Sequence, residues 1–259
     1  MRIVKEILYA YYNNQFKLAI PTGAHGIGKS VLSLRIIIES YFHKQIKQLK
    51  QQHKHWTYED LGIDNVLNLL KTHWYFKIEH YMNYVEDKDI MTKEIMCVID
   101  DAGVDISSQN WQDELVKTFG IYMNLPRTRW GGILLTSPLQ TNILKRIRVL
   151  PSIWTGFVKR TNSRNDPSKI NRWRREVTWY QRWEHPDGKH YGVNIVGKDK
   201  FNGWIDDFIW KWYNPLRAQY TKEQEQKIQD IIRKRKKEHE NELDESKKEE
   251  LMEDALLEY

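Results

Sequence analysis

The sequence predicts an α/β fold: a mainly parallel sheet between two layers of helices, followed by an antiparallel hairpin and a helical tail. Three observations predict it. Short, continuous apolar runs at 16–21, 94–100 and 131–137 have the length and texture of buried parallel strands, with segments of helical spacing between them. A glycine-rich stretch follows the first run directly, where a strand must turn into a helix. After Pro151 the pattern becomes alternating, and seven of the eleven tryptophans fall between 154 and 212.

The elements follow in order. Residues 1–15 read as a short helix with Ile3, Ile7, Leu8 and Tyr11 on one side. "FKLAIP" is the first strand. From Lys29, Val31, Leu34, Ile37, Ile38, Tyr41 and Phe42 recur at helical spacing, and that helix is expected to run to about Gln52. Two helices, rather than a strand, are expected over 60–87. "EIMCVID" is a central strand ending in acid, 109–124 a helix stopping before Pro126, "GGILLTS" a third strand, and 139–149 a helix. Beyond Pro151, "IWTGFVKR" is strand-like, and "REVTWYQRWEH" and "YGVNIVG" flank a "PDGK" turn. The expected organisation is a core at 1–150, a basic, aromatic-rich extension continuing it at 151–220, and a charged, partly helical tail at 221–259.

Composition limits the function classes. With 259 residues and 40% hydrophobic content the chain can build a real core, while 29% charged residues and a mean hydropathy of −0.72 make it wet. No apolar run is long enough for a membrane span, and no secretory signal is expected at the N-terminus. The single cysteine, Cys97, is read as a small core residue; it excludes an internal disulfide and a cysteine-based zinc site, and fits a reducing cytoplasm. The net charge of +6 is uneven: from Thr221 on, nine Lys and Arg stand against thirteen Asp and Glu, leaving 32 against 22 before it. A basic body points to a polyanionic partner, here nucleic acid.

The glycine-rich stretch carries the chemistry. Gly23-Ala24-His25-Gly26-Ile27-Gly28-Lys29-Ser30 matches G-x-x-x-x-G-K-[ST], after a buried strand and at the start of an amphipathic helix. Glycines let the backbone wrap so that N–H groups face phosphate oxygens, and the helix N-terminus, through Val31, adds partial positive charge. Lys29 would reach the terminal phosphates of ATP, and Ser30 would ligate Mg²⁺. Such a loop needs a carboxylate opposite it. Asp100, at the end of "MCVID", is the candidate for the metal, and Asp101 either polarises the attacking water or caps the next segment. Thr136 and Ser137 end the third strand; successive residues point to opposite faces, so one of them would sense the γ-phosphate, and Ser137 is favoured. Arg127 and Arg129 precede that strand and are candidate arginine fingers for a neighbouring subunit, or else ordinary surface residues. No N-K-x-D motif occurs, which disfavours guanine nucleotides.

This combination, with "IDDAG" after an apolar run and "GGILLTSP" after an arginine-containing helix end, resembles the P-loop ATPases encoded by crenarchaeal viruses and plasmids, described as DnaA-like or AAA-type. The resemblance spans roughly 16–160. It implies a P-loop NTPase fold of the ASCE type, ATP with Mg²⁺, a cytoplasmic location and a role in viral or plasmid DNA metabolism. Neither a helical lid with a second sensor arginine nor a helix-turn-helix is legible, which leaves translocation or packaging open beside replication initiation.

Between 140 and 220 basic residues interleave with Trp173, Trp179, Tyr180 and Trp183. Arg172, Arg174 and Arg175 are the expected phosphate contacts to DNA, and the aromatics either stack on unpaired bases or fill the core. A ring or dimer is open to such a protein. The rival readings are a nucleotide switch, a kinase, or an assembly protein that needs no nucleic acid.

Overall fold

The computed structural model describes residues 1–53, 55–89, 92–107, 112–123, 125–148, 150, 153–162, 170–184 and 191–257, with side chains excepted at 162, 170–172, 184, 191 and from 238 onward. In chain order the elements are α1 (Arg2–Tyr12), β1 (Lys17–Thr22), α2 (Lys29–Tyr41), α3 (His43–Gln51), α4 (Tyr58–Leu61), α5 (Ile63–His73), β2 (Trp74–Tyr75), α6 (Ile78–Asp87), β3 (Glu94–Ile99), α7 (Ala102–Asp105), α8 (Glu114–Tyr122), β4 (Trp130–Leu135), α9 (Lys145–Arg148), β5 (Ile153–Asn162), β6 (Ile170–Glu184), β7 (Tyr191–Asn202) and α10 (Asp207–Leu257). Residues 1–206 form one compact unit and 207–259 another.

Seven strands make one sheet in the order β2-β3-β4-β1-β5-β6-β7. From β2 to β5 every pairing is parallel; β5, β6 and β7 pair antiparallel. β4 therefore lies between β1, which carries the glycine-rich loop, and β3, which carries the acidic pair. Alternation sends the two sides of each central strand to different layers. Leu18, Ile20, Cys97, Ile99, Ile133 and Leu135 bury against Ile78, Tyr81 and Val85 of α6 and Val116 and Phe119 of α8. On the other face α1 lies across β4 at Gly131 and Gly132; a Cβ on Gly132 would stand 3.0 Å from Ile7 Cγ1. The N-terminus of α1 is tied to β7, where Asp199 Oδ1 accepts from Arg2 N (2.7 Å) and Oδ2 from Trp179 Nε1 (2.9 Å). Buried Cys97 packs in the core as expected, and burial pushes its thiol pKa up.

Several expectations are corrected. The helix from Lys29 breaks at Phe42 into α2 and α3. Over 60–87 the two expected helices form, as α5 and α6, but a two-residue strand, β2, stands between them, where Trp74 and Tyr75 pair with Val98 and Ile99. The segment 139–149 holds a short 3₁₀ turn and the single-turn α9 instead of a long helix. The boundary expected at 220 falls inside α10, a continuous helix with Pro215 within it. The "PDGK" turn, with His185 and His190, lies outside the described residues.

One buried group makes the fold pH-sensitive. His73 is stacked on Tyr41 at 5.0 Å, with Nε2 3.9 Å from Glu94 Oε2. Burial pushes its pKa from 6.5 down to about 4, opposed by Glu94 and assisted by Lys88. The folded imidazole stays neutral where the unfolded one takes up a proton. The stabilisation is thus complete above about pH 6.5 and is lost as pH falls toward 4. Urea midpoints measured across that window should fall with pH in the wild type and flatten in His73→Phe.

Candidate nucleotide site

The carboxyl ends of β1, β4 and β3 lie side by side, because the three strands are parallel neighbours, and such strand ends are the usual ligand position in open α/β sheets. Gly23, Gly26 and Gly28 have φ of +138°, +70° and +103°, which side chains with a Cβ rarely adopt. Gly23 is further constrained, since a Cβ there would stand 2.8 Å from Val158 O. Its N–H donates to Pro138 O (3.1 Å), so the loop leaves β1 anchored to the segment after β4. Ala24, His25 and Gly26 are exposed at the tip, Ile27 and Gly28 half-buried, and Val31 buried. Gly28 begins α2 with no side-chain cap, and the first N–H groups of a helix have no intrahelical acceptor.

Lys29 is buried, and its Nζ donates to Gly23 O (2.9 Å) and Ala24 O (3.0 Å). The ammonium sits inside the curve of its own loop. One residue on, Ser30 Oγ donates to Asp100 Oδ1 at 3.0 Å, joining β1's loop to the end of β3 across 70 positions of sequence. Asp100 is fully buried. Its N–H donates to Tyr75 O (2.8 Å), which is how short β2 helps hold it.

Thr136, at the end of β4, completes the arrangement. Its Oγ1 donates to Asp100 Oδ1 (2.5 Å) and accepts from Asp101 N (2.8 Å). Ser137, the residue favoured from sequence, does not share this bond to Asp100. Its hydroxyl donates to Leu139 O (2.7 Å) and lies against Gly103, while its N–H donates to Pro21 O (3.1 Å). On this geometry Thr136→Ala should lower any nucleotide turnover at this site roughly tenfold or more, because a buried carboxylate loses a charge-assisted bond of about 1.5–3 kcal/mol. Ser137→Ala should change it little; steady-state turnover of the two variants decides.

Asp101 adopts a left-handed backbone (φ 51°), uncommon for a residue with a Cβ, and precedes α7 without a side-chain cap bond. The structure thus brings Lys29, Ser30, Asp100, Asp101 and Thr136 to one place. Arg127 and Arg129 lie elsewhere. They precede β4, a strand's length away at the other end of the sheet. Arg127 is exposed. Arg129 Nη1 donates to Val85 O (2.5 Å) and Lys88 O (3.0 Å), so it closes the end of α6 rather than projecting outward.

Arg175 is the residue whose position sequence reasoning missed. Expected on a DNA-facing surface, it is buried, and its Nε donates to Ile27 O in the loop (2.8 Å). Burial and neighbouring Arg160 lower its pKa from the ordinary value. Its alternation with Val177 and Trp179, both fully buried, was the available signal. Arg174 is half-buried, and the side chain of Arg172 lies outside the described residues. Trp179 is core, whereas Trp173 and Trp183 are exposed.

No helix among the described residues is long and apolar enough to cross a membrane. No family model, curated protein or solved structure matches the chain.

Proposed function

We propose that the protein is a Mg²⁺-dependent ATPase of the P-loop, ASCE type that acts on DNA in viral or plasmid metabolism, in replication initiation, translocation or packaging. The observation that carries the reading is the meeting of Ser30 with buried Asp100, beside a glycine loop curled around Lys29. The position of β4 between β1 and β3 supports the ASCE type.

The residues fit the groups implied. A hydroxyl and a carboxylate are hard oxygen donors. Mg²⁺ usually takes only one or two carboxylates together with substrate phosphates, so a large cluster of acidic ligands is not required. Residues 23–31 would hold the phosphates, and Ser30 and Asp100 the metal. When bound, Mg²⁺ neutralises charge on the phosphate oxygens. Lys29 would exchange its two carbonyl partners for phosphate oxygens. Thr136 holds the Asp100 carboxylate in orientation. Asp101, on its left-handed backbone beside Asp100, would orient the attacking water and accept its proton. Arg175 supplies a mechanical link: any movement of Ile27 on nucleotide binding pulls on β6 through the bond to its carbonyl. Exposed Arg127 would serve a neighbouring copy in a ring or dimer. The same reading places the protein in its host's cytoplasm.

Turnover of Mg·ATP measured alone, with single-stranded and with duplex DNA is the test. Hydrolysis stimulated by DNA, with DNA affinity falling steeply between about 50 and 200 mM salt, is expected. ATP turnover without any DNA binding would instead favour a nucleotide switch or kinase. Arg172→Ala with Arg174→Ala should weaken DNA binding alone, whereas Arg175→Ala should disturb nucleotide affinity.

A further inference from the structure

The two ends of the sheet are finished differently. Helices cover both faces of its parallel part, whereas one face of the antiparallel part carries exposed apolar and basic side chains among the described residues. Cross-strand partners share a face, so Thr155 with Tyr180, Tyr180 with Ile195, Arg182 with Val193, and Phe157 with Thr178 and Lys198 all lie on the same side. Along it Phe157 is 51% exposed, Ile195 60% and Val193 61%. Lysines 159 and 198 are exposed on the same side. Where this face meets α9, a cavity of about 380 Å³ is walled by Lys145, Arg148, Arg182 and Gln140 over a floor of Thr155, Tyr180 and Val193. Among the described residues three cations line it and no carboxylate does. Arg148 Nε is buried with no hydrogen-bond partner among the described residues. Glu176, on the same side of β6, is paired with Lys159 at 3.6 Å.

We propose that this face of β5, β6 and β7, with the cationic groove beside α9, binds single-stranded DNA. Phosphates would meet Lys145, Arg148 and Arg182, and unpaired bases would lie on Tyr180 and Phe157. Cations tracking a backbone beside exposed rings are the recurring means of holding single strands, and a cavity near 380 Å³ takes a base-sized group. A duplex keeps its base faces stacked inside and offers the rings nothing. The groove lies on the sheet face opposite the one from which Arg175 reaches the loop, so strand and nucleotide would act on β6 from its two sides. This inference rests on the DNA part of the proposed function and names its form and its site.

Fluorescence anisotropy with a short labelled oligo(dT) and a matching duplex tests it. The wild type should prefer the single strand. Tyr180→Ala and Phe157→Ala should each weaken binding roughly tenfold, with Tyr180→Phe recovering it. Lys145→Ala with Arg148→Ala should lower the slope of log affinity against log salt by about 1.4, at ~0.7 per phosphate contact. Phe157 and Lys145 are exposed, so their truncation leaves the core intact, and unchanged ATP affinity in each variant verifies this. Preference for duplex, or wild-type affinity in all of these variants, overturns the proposal. If the wild type binds DNA and only Arg172→Ala with Arg174→Ala reduces it, the site is elsewhere and the DNA reading stands. No binding of either DNA by the wild type removes both.

Discussion

Lys29→Ala should abolish the proposed ATP hydrolysis, by at least ~10²- to 10³-fold, the scale on which a preorganised charge at a phosphate or oxyanion site acts. Two losses combine. The ammonium that would face the terminal phosphates is gone, and so are its bonds to Gly23 O and Ala24 O that brace the loop. Nucleotide affinity should therefore fall as well as turnover. Lys29→Arg separates the two contributions, because it keeps the charge but replaces a compact ammonium by a planar fork that does not fit the same curve. Single-turnover hydrolysis and fluorescent-nucleotide titration read them independently. Wild-type turnover in Lys29→Ala would reject the loop as the nucleotide site.

Gly131→Val should cost the fold several kcal/mol and unfold much of the protein at physiological temperature. A Cβ at Gly131 would lie 2.6 Å from Tyr11 Cβ, 2.8 Å from Ile95 O and 2.9 Å from Tyr11 Cα. Two of these neighbours are backbone atoms, so no rotamer change relieves the clash. Either α1 lifts from the sheet or β4 moves off β3, and the second would carry Thr136 away from Asp100. Overpacking typically costs about 1–3 kcal/mol and more where the backbone must shift, against a total stability of about 5–15. Gly132→Ala supplies the graded control, since its Cβ would meet only flexible Ile7 atoms at 3.0–3.2 Å and Lys17 O at 3.2 Å. Urea denaturation measures both. A Gly131→Val protein as stable as wild type would mean that α1 does not lie across β4.

The candidate site was legible in part, and the division follows the range of the interactions. The loop residues, Lys29 and Ser30 were readable because the turn they make is local and restricts residue types position by position. Asp100 was readable because an acid at the end of a buried run is costly unless something nearby uses it. Thr136 and Ser137 were not separable: both are polar, adjacent and fully buried, and which hydroxyl meets Asp100 depends on how β4 lies against β3. Arg175 was misread because its cationic charge suggested solvent, while its true environment is made by a loop 148 residues earlier. The break at Phe42 and the short strand at Trp74 share that cause, since helical spacing and aromatic content are compatible with either outcome.

By itself the sequence determined the glycine-rich turn between a strand and a helix, the buried strands that lead into it and to the acids, and the change to antiparallel structure after Pro151. Each of these depends on periodicity and on the conformations that neighbouring residues allow. Only the tertiary structure decided that β4 lies between β1 and β3, that Thr136 rather than Ser137 bonds Asp100, that Arg175 grips the loop, and that Phe157, Val193 and Ile195 are exposed on one side of β5, β6 and β7. Those outcomes depend on which distant surfaces exclude water together, and no local pattern of residue types encodes that choice.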